Sequence, residues 1–93
     1  MGLFFEWDSN KAKSNILKHQ VSFEEATTAF GDMRSLTIES PINILTEKRF
    51  ITLGMSSAKR VIVVVHTERN KKIRIISARP ASRNERKQYQ DET

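Results

Sequence analysis

Apolar residues recur along this chain at two spacings, and the change from one to the other divides it. Asp8-Ser9-Asn10 has the polar side chains that accept free N–H groups in a first helical turn, and predicts a helix running to His19. Ala12, Ile16 and Leu17 are its expected inward residues, and Gln20-Val21 breaks it. Ser22-Phe23-Glu24-Glu25 has the form of a capping box, in which Ser22 and Glu25 satisfy each other's orphan donors. It predicts a short second helix to Ala29, closed by Gly31 in the left-handed position past a helix end.

From there the pattern is that of strands. Leu36-Thr37-Ile38 predicts a short strand ended by Ser40-Pro41, with a loop over 40–47. Arg49 to Met55 and Arg60 to Thr67, rich in Ile, Val, Phe and Thr, predict a hairpin joined at Ser56-Ser57-Ala58. The polar turn Glu68-Arg69-Asn70-Lys71 leads to a fourth strand, Lys72 to Ala78, which Pro80 stops for want of an N–H. Ser82-Arg83-Asn84-Glu85 is a second capping box and opens a last helix through Gln90. The expected fold is a single α+β domain over 1–93, in the order α-α-β-β-β-β-α. Its four-stranded antiparallel sheet carries the helices packed on one face, in two layers, and leaves the other face open to a partner.

The 93 residues include 16 Lys plus Arg and 11 Asp plus Glu, for a net charge of +5. The charge is uneven: residues 1–46 sum to −2 and residues 47–93 to +7. A basic half on a small domain suggests a polyanion partner, most often nucleic acid, against the plainer reading of a solvated surface. Cysteine is absent, which excludes disulfides, thiolate nucleophiles and Cys-ligated metals. The strongly apolar run Val61–Val65 is strand length, and the N-terminus lacks the form of a signal peptide, so a cytoplasmic protein with no membrane association is expected.

Two histidines are candidates for proton transfer near neutral pH. His19 is at a helix end and His66 is within a strand, and each has a plain reading as a capping or packed side chain. Two histidines with no nearby carboxylate pattern give no metal signature. Arg49, Arg74 and Arg79 fall in or beside strands, and Arg83 and Arg86 on the last helix. Guanidinium forks grip phosphate oxygens, and they equally pair with Glu47, Glu68 or Glu85. Strict alternation puts Arg79 on the face of Ser77 and Ile75, and Arg74 on the other. Tyr89, four residues past Glu85, offers a stacking ring or a packing residue. Phe4, Phe5, Trp7, Phe23, Phe30 and Phe50 are expected in the core.

The ordered set of segments resembles the BrnT toxin family. Phe5-Glu6-Trp7-Asp8, Lys11, Asn15, Lys18-His19 and Val21 to Ala26 resemble its N-terminal signature. Glu47 to Ile51, Gly54 and Val63 to Arg69 resemble its central strands, and Arg74 to Ala81 with Glu85-Arg86 and Tyr89 its closing one. One departure is Gln20, where the family commonly has Gly. The resemblance implies a RelE-like ribonuclease toxin of a bacterial type II toxin–antitoxin system that arrests translation. It implies neutralisation by a BrnA-type antitoxin in a 2:2 heterotetramer, with operator DNA bound only through the antitoxin.

On that reading RNA is cleaved without a metal or other cofactor, by attack of the 2′-hydroxyl on the adjacent phosphorus. Arg79 and Arg49 are then the phosphate clamps and Lys18 and His19 the acid–base pair. Tyr89 serves stacking or positioning, and Glu85 is a base or the structural partner of Arg79. Arg74, Arg83 and Arg86 bind RNA. The competing readings are a non-catalytic RNA-binding domain and a decayed toxin that only holds its antitoxin.

Overall fold

A computed structural model describes residues 2–42 and 47–91. Their order is β1 (Phe5–Glu6), α1 (Ser9–His19), α2 (Phe23–Ala29), β2 (Leu36–Glu39), β3 (Arg49–Met55), β4 (Val61–Arg69), β5 (Lys72–Pro80) and α3 (Arg83–Asp91). The sheet has five strands in the order β1-β5-β4-β3-β2. The four expected strands pair antiparallel as anticipated, but β1 adds a fifth, parallel to β5, through Phe5↔Ile73 and Glu6↔Arg74. Two residues give β1 no periodicity to detect, so the sheet is mixed where sequence predicted it purely antiparallel. Within the predicted 40–47 loop, residues 43–46 lie outside the described residues.

The helices do not share one face as expected but divide between the two faces of the sheet, so the second face is partly covered by α3. On one, Val21, Phe23, Ala26 and Ala29 pack with Ile62, Val64, Ile75 and Ala78, and Phe5, Trp7, Ala12 and Phe30 complete this core. Fully burying Phe23 contributes roughly 2–3 kcal/mol. Gly54 permits the close approach of α2, since a Cβ there would lie 2.9 Å from the Ala29 carbonyl oxygen. On the other face α3 lays Tyr89 over Leu53, Val63 and Ala81. Of the aromatic residues expected inside, Phe4 is exposed and contributes its carbonyl to the Ile73 N–H.

Local signals placed most boundaries. Asp8 caps α1, accepting the N–H groups of Asn10 and Lys11 at 2.8 and 3.0 Å. Gln20 ends it at φ 60°, a left-handed conformation that glycine takes without strain and glutamine does not. Ser22 accepts the Glu25 N–H, but Glu25 does not return the bond. Its carboxylate instead grips Arg60 by two bonds of 2.8 and 2.7 Å and takes the Ser56 hydroxyl, tying α2 to the β3–β4 turn. Arg60 also reaches the Gln20 carbonyl. Gly31 does not adopt the expected left-handed conformation; α2 closes through Phe30 at φ −71°.

Helix α1 shows the largest departure from its apolar pattern. Ala12 is half-buried as expected, but Leu17 is 85% exposed and Ile16 is exposed, while Asn15 is buried. Beyond its short pairing with β1, strand β5 has a bare edge. The Asn15 amide satisfies it, donating to the Ala78 and Val21 carbonyls and accepting the Ala78 N–H. This hydrogen-bond demand, rather than the apolar stripe, sets the rotation of α1.

Candidate nucleic-acid interface

Three strands present a lattice of side chains on the face opposite α1 and α2. Register gives one row of Arg49, Thr67 and Arg74, a second of Ile51, Val65 and Ser77, and a third of Leu53, Val63 and Arg79. Helix α3 packs over Leu53 and Val63, with Ile51 at the border. The first row, most of the second, and the corner at Arg79 lie beyond that packing; Thr67 is nonetheless buried, Arg49, Val65, Arg74 and Ser77 are half-buried, and Arg79 is exposed. Arg49 and Arg74 flank Thr67 with their Cα atoms about 10 Å apart, and Arg79 is four β4 positions further, about 13 Å along the strand.

A β-bulge creates this arrangement. His66 pairs with Ile75 while Val65 pairs with Ser77, so Ile76 is an extra residue in β5. Ile75 and Ala78 then both enter the core beneath α1 and α2. Arg74, Ser77 and Arg79 consequently share the opposite face, which corrects the strict alternation expected from sequence, where Arg74 and Arg79 were opposed. Such a bulge needs no glycine, and nothing in the local residues marks it.

Arg74 and Arg79 have carboxylate partners that orient them. Arg74 Nη1 lies 3.3 Å from Glu6, its neighbour across the β1–β5 pair. Arg79 binds both oxygens of Glu85 at 2.8 and 2.9 Å. That fork holds the Glu85 carboxyl down at about 2, against the opposing effect of burial, and the Ser82 N–H and hydroxyl reinforce it. Ser82 and Glu85 form the complete reciprocal capping box predicted for α3. An ionised carboxylate so engaged has little basicity left, and the geometry makes Glu85 a holder of Arg79.

Lys18 and His19 occupy the last turn of α1, away from the arginine rows but connected to them. With Lys11, Ser14, Asn15, Ile76 and Ser77 they line a pocket of about 260 Å³ at the bare edge of β5. Ser77 stands between Arg74 and Arg79 on the open face and also lines this pocket, so the two regions meet there.

The other candidates lie elsewhere. Tyr89 is buried, and its hydroxyl donates to Asp32 Oδ2 at 2.5 Å, so its ring packs in the α3 core and is not offered to a base. Burial would raise the Asp32 carboxyl, but the Tyr89 hydroxyl and the N–H groups of Met55 and Arg34 hold it below its ordinary value. Arg83 is exposed on α3, and Arg86 donates to the Ala81 carbonyl at 3.0 Å. His66 is buried between the rings of Phe30 and Phe50, its Nε2 2.7 Å from Thr52 Oγ1. Burial lowers its pKa to about 4, so it is neutral at pH 7. Among the described residues, no three His, Cys, Asp or Glu side chains cluster as metal ligands would, and no helix is long and apolar enough to cross a membrane. Asn15 and Ser77, which link α1 and the open face to β5, were missed as organising residues. The neighbours of Asn15 one turn away include Lys11, Lys18 and His19, which are themselves polar, so the helix pattern did not mark it.

Fold and site together define a small α+β protein with arginines gathered on one face of a mixed five-stranded sheet. The sequence profile described as "Ribonuclease toxin, BrnT, of type II toxin-antitoxin system" matches residues 7–85, and the chain belongs to that family. The fold is similar to the 1.1 Å crystal structure of the Brucella abortus ribonuclease toxin BrnT, with a TM-score of 0.64 and 21% identity. That match covers 88% of this chain and 100% of the Brucella chain. No curated protein matches the sequence.

Proposed function

We propose that this protein is a metal-independent endoribonuclease that arrests translation and is neutralised by a BrnA-type antitoxin in a 2:2 heterotetramer. The observation that supports it best is the bulge in β5, which gathers Arg74, Ser77 and Arg79 with Arg49 on one open face, beside a pocket holding Lys18 and His19. Three guanidinium groups, one on β3 and two on β5 with β4 between them, suit the dispersed negative charge of an RNA backbone.

In this reading the backbone lies along the arginine rows, with the scissile phosphate near Ser77. His19 or Lys18 takes the 2′-hydroxyl proton as that oxygen attacks phosphorus. The other donates a proton to the departing 5′-oxygen, leaving a 2′,3′-cyclic phosphate and a 5′-hydroxyl end. Arg49 and Arg79 stabilise the charge that develops on the phosphoryl oxygens. Arg74 positions the strand and Arg83 and Arg86 extend the cationic surface. Glu85 fixes the Arg79 fork and Tyr89 fixes α3, so both act through structure. Acidic antitoxin segments laid on this face would block RNA by occupying the same cations.

Induction in bacteria of the wild type and of Arg79→Ala, followed by primer-extension mapping of total RNA, tests the reading. Growth arrest with new cleavage ends in the wild type only is the expected result. Loss of one such donor lowers the rate on the order of 10²–10³-fold. Soluble wild-type protein that produces neither arrest nor new ends would favour the antitoxin-holding alternative.

A further inference from the structure

The pocket at the bare edge of β5 contains cations beyond the acid–base pair. Lys11, Ser14 and Lys18 stand at positions i, i+3 and i+7 of α1, one stripe turned toward β5, with Lys11 and Lys18 about 10 Å apart along the axis. Ser77 lines it from the strand side. The polar floor at Asn15 is committed to Val21 and Ala78 and is closed to a ligand.

The composition of this lining is selective. Its residues from α1 include two lysines, a histidine and a serine, and no carboxylate lines the pocket. Among the described residues the salt bridges join Arg60, Arg69, Arg74 and Arg79 to glutamates, and none neutralises Lys11 or Lys18. Asp8 senses the charge of Lys11, but its Oδ1 is taken by the Asn10 and Lys11 amides. The lining also has no aromatic ring, so it offers no platform for a base. A volume of about 260 Å³ accepts a phosphodiester with part of its sugar.

We propose that this pocket is a second phosphodiester subsite, in which Lys11 and Ser14 hold the backbone phosphate neighbouring the one on the arginine face, whatever the base. The identity of the polymer rests on the ribonuclease reading; the subsite itself rests on the pocket. Lys11 is a binding and positioning residue, so its loss raises KM and leaves kcat nearly unchanged.

The test is equilibrium binding of a 2′-deoxy oligonucleotide, which lacks the attacking hydroxyl, at several salt concentrations. Lys11→Ala is compared with Lys13→Ala, which removes the same charge from a position outside the pocket. The slope of log K against log salt is expected to shrink by about 1 for Lys11→Ala, equally for all base sequences, and to stay unchanged for Lys13→Ala. Inorganic phosphate should shift the amide resonances of residues 11–19 and 76–77. Equal slopes for the two variants, a base-dependent loss, or phosphate shifts confined to other regions would overturn the subsite. If the predicted slopes appear but RNA stays intact, the subsite stands and the ribonuclease reading falls. If RNA is cleaved with an unchanged KM in Lys11→Ala, the reverse holds.

Discussion

Mild acid should destabilise this protein through one side chain. His66 is 5% exposed, wedged between Phe30 at 4.8 Å and Phe50 at 5.9 Å between ring centroids. Its Nε2 meets Thr52 Oγ1, itself bonded to Thr37 Oγ1, while Nδ1 is buried with no partner among the described residues. An imidazolium needs acceptors at both nitrogens, and this site supplies none at Nδ1. Burial therefore lowers the pKa from 6.5 to about 4 in the folded state.

The sign follows from which state binds the proton. Between pH 6.5 and 4 the unfolded chain protonates His66 and the folded protein does not, so stability rises with pH across that window. The contribution is fully present above the unfolded value and is lost as pH falls toward 4. From pH 7.5 to 5 the expected loss is about 2 kcal/mol, while most carboxylates remain ionised in both states. Urea unfolding at the two pH values measures it, with His66→Phe as the control that removes the titrating group. The wild type should lose about 2 kcal/mol more than the variant over this interval. Equal pH dependence in the two proteins, or an NMR titration placing folded His66 near 6.5, would refute the reasoning.

Other perturbations probe separate links. Asn15→Ala removes three buried hydrogen bonds and strands both polar groups of Ala78, which should cost about 3 kcal/mol in urea unfolding and speed exchange of the Ala78 amide. Gln20→Gly relieves a left-handed glutamine and should raise stability by about 0.5–1 kcal/mol in the same assay, because the backbone bond to Arg60 persists. Glu85→Gln should retain most RNA cleavage in a primer-extension assay, since a carboxyl held at about 2 is no base at neutral pH; a thousand-fold loss with intact folding would restore it as the base. The stability that the Glu85–Arg79 pair supplies is present above pH 4.5 and is lost as pH falls through about 2, so the variant and wild type should converge in thermal stability at the acid end.

Much of the chain was legible because its signals are local. Asp8 and Ser22 cap the helices that follow them, and β-branched runs give β3, β4 and β5 nearly at their predicted bounds. The net positive charge of the second half is fixed by composition, as is the absence of thiol chemistry. Resemblance of the ordered segments placed the chain in its family, and the profile match over residues 7–85 agrees. These features depend on residues close in sequence, whose preferences act before distant segments meet.

Tertiary structure decided what depends on pairing between distant segments. Strand β1 exists because Phe5 and Glu6 find the edge of β5, not through any preference of two residues. The exposed Leu17 and buried Asn15 reflect the need of that same edge for hydrogen-bond partners, which outweighs a local apolar stripe. Above all, one extra residue at Ile76 reverses the facing of β5 between Arg74 and Arg79. The sequence determined the secondary elements other than β1 and the positive charge, whereas the face on which the arginines gather was decided by register. Register is set by which backbone groups pair across the sheet, and a shift of one residue moves every following side chain to the opposite side.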